Sequence, residues 1–275
     1  MENYKNLEEI LEKFKLQENL RYVSPYKPLE KDTNSNFFVS VEEGTFIKEK
    51  ARSYEKTFWE FYMLWVCNRI FEKVSRKNKD LQVKIKVPEP YAIEKNENLR
   101  IYMEFIPGIP IKKYSEKSKE WIDEKVIKIK KKKLNLINLL AFMLGVVDRI
   151  KSNYYIFHGD MDFRHVMFDF KNLIFSLVGF DKAFVYLPEY NIDKKILERA
   201  ITHEREKTLA NLEDKFSHLK SYGEMVYFFN KGRDSPRLKN INIENYVKEF
   251  YQKYNIIPKI PKSVLDRIKE AAEKY

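Results

Sequence analysis

The chain has 275 residues, 44% of them apolar and 15% aromatic, which is enough to bury a sizeable core and excludes a disordered segment. Its one cysteine, Cys67, excludes a disulfide framework and a cysteine-built metal site, and suits a reducing compartment. The formal charge of +11 favours an anionic partner such as a nucleotide, a nucleic acid or an acidic membrane surface.

In chain order, Glu2–Phe14 reads as a short amphipathic helix and Tyr22–Thr33, with two prolines, as irregular or edge structure. The N-terminus carries charge throughout and lacks the apolar stretch of a signal peptide. No uninterrupted apolar run approaches the roughly 20 residues of a membrane span. Asn36–Glu42 and Thr45–Ala51 read as two strands joined by a turn at Glu43-Gly44. Tyr54–Val74 is a long helix by the spacing of Phe58, Phe61, Tyr62, Trp65 and Ile70. Strand pieces follow at Gln82–Val87, Tyr91–Glu94 and, after a turn at Asn98, Leu99–Phe105. Pro107-Gly108-Ile109-Pro110 then breaks regularity. Beyond it the helices expected are Lys117–Lys131, Leu134–Asn153, Asp193–Leu219, Asn242–Tyr254 and Lys262–Tyr275, with a strand at Leu173–Val178. The order predicts an α+β protein of two lobes: residues 1–106 form a small sheet with one long helix, and residues 107–275 a mainly helical lobe.

The segment richest in chemistry is His158-Gly159-Asp160-Met161-Asp162-Phe163-Arg164-His165, between a helix-like and a strand-like stretch. An aspartate on such a loop, with a polar residue five positions on, is the layout of a phosphotransferase catalytic loop. Asp160 would accept the proton of an attacking hydroxyl, and His165 would stand at the metal and phosphates. A lysine on a strand, Lys48, has an acidic partner on the next helix in Glu60; Lys50 and Glu55 are the competing choices. Lys48 and Lys50 share a strand face, so alternation does not separate them.

These segments resemble the protein-kinase-like superfamily. The resemblance implies ATP and Mg²⁺ as cofactors and a hinge at Ile101–Gly108 that holds adenine. There the Glu104 carbonyl would accept from the adenine amino group, the Ile106 amide would donate to the ring, and Met103 would pack behind the base. A glycine-rich phosphate loop is missing: seven glycines exist and none precedes Gly44. Asp32-Thr33-Asn34-Ser35-Asn36 takes its place, with Ser35 and Asn36 resembling the Ser-Asn pair of antibiotic and choline kinases. The nearest resemblance is to the lipopolysaccharide core heptose kinase family. It is carried by His158-Gly159-Asp160, His165-Val166 and Val178-Gly179-Phe180-Asp181-Lys182-Ala183. That family implies a sugar hydroxyl of a glycolipid as acceptor.

One departure stands out. The family's metal-binding aspartate aligns with Gly179, which offers no ligand. Asp181 with His165 is then the remaining candidate metal pair, although Mg²⁺ prefers oxygen to imidazole. An active kinase and a pseudokinase serving as a binding or scaffold module both stay open, as does a small regulatory kinase acting on protein. The run Lys128–Lys133 reads as a solvated helix end or as a contact for anionic glycolipid or membrane headgroups. No nucleic-acid motif accompanies the charge, so no specific nucleic-acid partner is expected. The location expected is the cytoplasm, extending to the inner face of the membrane.

Overall fold

The structure is a computed structural model that describes residues 21–22, 35–40, 45–50, 54–95, 99–106, 108–112, 126–129, 132–219, 223–238, 240–256 and 258–275. The expected helix at Glu2–Phe14, the turns at Glu43-Gly44 and Asn98, and residues 32–34 of the expected phosphate loop lie outside these residues.

Strands β1 (Arg21–Tyr22), β2 (Ser35–Ser40) and β3 (Thr45–Lys50) lead into helix α1 (Tyr54–Lys77). Strands β4 (Lys84–Lys86), β5 (Pro90–Lys95) and β6 (Leu99–Glu104) follow. An antiparallel sheet forms in the order β1-β2-β3-β6-β5, with Lys48 opposite Phe37 and Ile101. Helix α1 lies against it with an almost wholly apolar circumference, because residues 57–67 are all buried. A helix apolar on every side needs cover on every side. The sheet supplies part of that cover, and helix α5 (Ile243–Tyr254) supplies another part. Phe250 of α5 meets the rings of Phe58, Phe61, Tyr62 and Trp65, with centroids 4.8–6.1 Å apart. On a further side, the Trp59 indole N–H donates to the Ala183 carbonyl at 2.9 Å.

The second half begins with strand β7 (Ile109–Pro110) and a hairpin of β8 (Val126–Ile129) and β9 (Lys132–Asn135). Helix α2 (Leu136–Tyr154) then delivers the chain to β10 (Ile156–Phe157), and β11 (Val166–Asp169), β12 (Ile174–Leu177) and β13 (Phe184–Val185) follow. Helices α3 (Lys194–Phe216), α4 (Met225–Asp234), α5 and α6 (Lys262–Glu273) complete the chain. A mixed sheet runs β4-β12-β11-β7, in which β12 pairs in parallel with β4. The first half of the sequence therefore lends a strand to the second, which holds the two parts in register. The architecture is α+β, with a strand-rich part carrying one long helix and a mainly helical part carrying the loop of interest.

Two expectations are corrected. The helix expected over Lys117–Lys131 is replaced at its end by β8, whose partner is β9, with Lys128 opposite Lys133. The alternation Ile127-Lys128-Ile129-Lys130 has period two, and Val126, Ile127 and Ile129 are β-branched, so strand pairing wins there. The described part of the basic run, residues 128–129 and 132–133, is accordingly paired strand and not a helix end. Helix α4 is not among the expected helices: its apolar run, Met225–Phe229, is short and Gly232 follows it. Packing explains it. A Cβ built on Gly232 would stand 1.9 Å from the Phe142 carbonyl oxygen of α2, and one on Gly145 would stand 1.9 Å from the Phe229 carbonyl oxygen of α4. The helices cross backbone to backbone at two glycines. An ion-pair cluster adds to this, with buried Asp148 of α2 accepting a hydrogen bond from Arg205 of α3 at 2.8 Å and forming an ion pair with Arg233 of α4, also at 2.8 Å.

Because neither carbonyl can rotate away without breaking its helix, Gly145→Ala is expected to destabilise the protein by about 3 kcal/mol. Urea unfolding of the two proteins measures this, and a change below roughly 0.5 kcal/mol would show that the helix pair is free to slide apart.

Candidate functional site

Three pieces carry the candidate residues: the β3–α1 pair, the strand end at Glu104–Ile106, and the loop between β10 and β11; β3 pairs with β6, and Trp59 beside Glu60 ties α1 to Ala183 after the 179–182 turn. In the first, Lys48 Nζ lies 2.7 Å from Glu60 Oε1, with side-chain exposures of 14% and 2%. Strand β3 and helix α1 place them facing each other, so the expected pairing is formed. A carboxylate as deeply buried as Glu60 is tolerable because it is paired, and the pairing fixes the lysine ammonium. Ser35 and Asn36 open β2, opposite Lys50 and Glu49. Glu55 is exposed on the first turn of α1.

At the strand end, Met103 and Ile106 are buried, and the Glu104 amide donates to the Glu89 carbonyl at 2.8 Å. The Glu104 carboxylate pairs with Lys86, a contact that the sequence did not suggest.

The loop is held from several directions. Strands β10 and β13 pair at Ile156–Phe157 and Phe184–Val185, which pins both its entry and the segment leaving the 179–182 turn. Below it, Glu204 of α3 accepts the backbone N–H of His158 at 3.1 Å and of Gly159 at 2.8 Å. Glu204 is itself paired with buried Lys151 at 2.5 Å. Burial disfavours its charge, but Lys151, His158 and these hydrogen bonds outweigh that and hold its carboxyl below the usual range. From the last helix, Arg267 donates to the Gly159 carbonyl at 3.2 Å. His158 is buried, and its Nε2 lies 3.1 Å from the Val178 carbonyl, which makes Nε2 the protonated nitrogen. Burial pulls its pKa down to about 4, so the ring is neutral near pH 7.

Asp160 projects from this frame, half-buried. Its Oδ2 accepts from Lys182 Nζ at 2.9 Å. Burial opposes its ionisation; the Lys182 hydrogen bond and the charges around it prevail and hold it below the usual aspartate range. His165 Nδ1 lies 3.0 Å from the Asp160 carbonyl and 4.0 Å from its Oδ2. The imidazole thus ties off the loop backbone, and the Cδ2 edge of its ring lies toward Gly179. Gly179 has φ +79, and a Cβ there would meet His165 Cδ2 at 2.7 Å. The ring occupies the space that a side chain at 179 would need. Asp181 sits in the short helical turn Phe180–Lys182 that follows. Asp162 caps the Arg164 amide at 2.8 Å, and Asp169 accepts the amides of Lys171 and Asn172 in the β11–β12 turn, so both serve local turns.

Among the described residues, no three histidine, cysteine, aspartate or glutamate side chains converge to hold a metal ion. Magnesium takes oxygen ligands in near-octahedral order. A glycine at 179, an imidazole at 165 and an Asp160 already engaged by an ammonium do not fit it.

The groups missed in the sequence are Glu204, Lys151, Lys182 as the partner of Asp160, and Arg267. Lys182 alone had a signal, through its place in the Asp181-Lys182-Ala183 pattern.

Acid should loosen this frame. His158 has its ordinary pKa of 6.5 in the unfolded chain and about 4 when folded, so the unfolded state takes up the proton first as pH falls. That contribution to stability is complete above pH 6.5 and is lost on the way down to about 4, and the depressed Glu204 acts in the same direction. Melting curves from pH 7 to pH 4.5 are expected to show a loss on the order of 2 kcal/mol, with a shallower slope in His158→Gln. An equal slope in the two proteins would remove His158 from the account.

No protein-family model and no curated protein matches the chain. Among solved structures, it is similar to the bifunctional kinase-methyltransferase WbdD, at a TM-score of 0.37 and 12% identity, over 78% of this chain. The chain spans 47% of the length of that structure. It is also similar to the Cydia pomonella Granulovirus kinase PK-1, at a TM-score of 0.40 and 11% identity, over 96% of this chain and 91% of that one. At such scores the fold description rests on the strands, helices and contacts given above.

Proposed function

We propose that this chain is a phosphotransferase of the kinase-like fold that takes ATP as donor. The observation that carries the proposal is the Lys48–Glu60 pair at 2.7 Å, made between a sheet and a buried helix in the half of the chain preceding the Asp160 loop. A lysine held in this way presents a fixed positive charge to nucleotide phosphates. Glu104 and Ile106 would offer backbone groups to adenine, with buried Met103 behind it.

Asp160 would orient the acceptor hydroxyl and take its proton as the bond to phosphorus forms. Its depressed pKa makes it a weak base that is ionised at neutral pH, suited to a transfer in which the proton leaves late. Glu204, His165 and Arg267 keep the loop backbone fixed while this happens.

The acceptor class proposed is a sugar hydroxyl of an anionic glycolipid such as lipopolysaccharide core. It is supported by the charge of +11, by the His165-Val166 and Lys182-Ala183 pattern, and by the basic β8–β9 hairpin. Work at the cytoplasmic face of a membrane fits the same features. Among the described residues no helix is long and apolar enough to cross one. A second reading is favoured by a specific observation: Gly179 is filled by the His165 ring and Asp160 is bridged by Lys182, an arrangement that also suits a pseudokinase used as a binding module. Incubation with γ-labelled ATP and core glycolipid, with protein substrates in parallel, separates the two. Label transferred to the glycolipid supports the first reading. Nucleotide binding with no transfer to any acceptor supports the second.

A further inference from the structure

The turn after β12 carries a cation that the proposed reaction does not otherwise use. Lys182 Nζ sits 2.9 Å from Asp160 Oδ2, and its side chain is 42% exposed. An ammonium has three N–H donors, and Asp160 engages one of them here. The backbone beneath it is close against the loop: a Cβ on Gly159 would stand 2.3 Å from the Lys182 carbonyl oxygen. The Lys182 backbone is therefore held beside the Asp160 loop, and the Asp160 contact directs its ammonium.

The same turn lacks what a hard divalent ion needs from a protein. Residue 179 has no side chain, and the His165 ring fills the space beside it. Asp181 is left as the one carboxylate of the turn. Nucleotide phosphates bound beside the half-buried Asp160 would still have to be neutralised. A fixed ammonium beside the proton acceptor meets that need as a point charge, as lysines do in phosphate sites.

We propose that Lys182 holds the terminal phosphates of the nucleotide in place of a protein-bound divalent cation, so that nucleotide binding here is independent of divalent metal. The proposal rests on the reading of the cleft as a nucleotide site.

The test is calorimetric titration of the whole chain with ATP and with adenosine, each in EDTA and in excess Mg²⁺. The proposal expects ATP affinities within about threefold of each other in the two buffers. It expects Lys182→Gln to weaken ATP in EDTA at least tenfold while leaving adenosine unchanged, which also shows that the variant is folded. ATP binding that appears only with Mg²⁺ would overturn the proposal and leave the nucleotide site standing. So would an unchanged ATP affinity in Lys182→Gln. Adenosine and ATP both failing to bind in either buffer would overturn the nucleotide reading and this proposal together.

Discussion

Asp160→Asn is expected to lower phosphoryl transfer by about 10²- to 10⁴-fold while changing nucleotide affinity little. Asparagine keeps the shape of the side chain and can still accept from Lys182 through its amide oxygen. What it loses is the ability to take a proton. The loop backbone should not shift, because its ties run through Glu204, Arg267 and the Asp160 carbonyl, none of which involves the Asp160 carboxylate. Initial rates and ATP titration on the same preparation check this. Transfer at the native rate would place the proton acceptor elsewhere, and a collapse of both affinity and rate would mean that Asp160 organises the cleft.

Glu204→Ala should have the largest effect on stability. Glu204 and Lys151 have side-chain exposures of 5% and 3%, so the substitution leaves a buried ammonium with no counter-charge. It also leaves the amides of His158 and Gly159 without their acceptor. Breaking one partner out of a buried pair costs about 3–5 kcal/mol, a large part of the stability of an ordinary domain. Denaturant unfolding reads the loss. The double variant Glu204→Ala/Lys151→Met should recover part of it, since the stranded charge is gone. A double variant no more stable than the single one would assign the loss to the two amides.

Much of this architecture can be read in the chain before its structure is known. The β2–β3 pair shows in two strand-like runs around Glu43-Gly44 and the long helix in its apolar spacing, and together they put Lys48 and Glu60 on facing elements. Tertiary ties were less legible. Glu204 reaches its loop across 46 positions of sequence, and nothing in the helix around it marks that one glutamate among several. The same holds for Arg267, 108 positions from Gly159. Gly179 and His165 read in the sequence as a missing carboxylate and an unusual polar residue. In the structure they are one packing arrangement, with the ring filling the space that the glycine leaves. The consequence for mutagenesis is direct. Gly179→Asp would have to adopt φ +79 and displace a ring held by the Asp160 carbonyl, so restoring a carboxylate there carries its own strain. The errors at β8 and α4 have a common origin. Short segments take their form from partners, here a cross-strand neighbour and a glycine-lined helix crossing, and local pattern weighs less than either.

The central claim is that the Lys48–Glu60 pair marks a nucleotide site. It is tested most directly by ATP titration of the native protein and of Lys48→Met, followed by thermal melting in buffers with and without Mg²⁺. The account predicts a saturable rise in melting temperature for the native protein and little or none for the variant, with both melting cooperatively in the absence of nucleotide. No rise in the native protein, or the same rise in both, would contradict it.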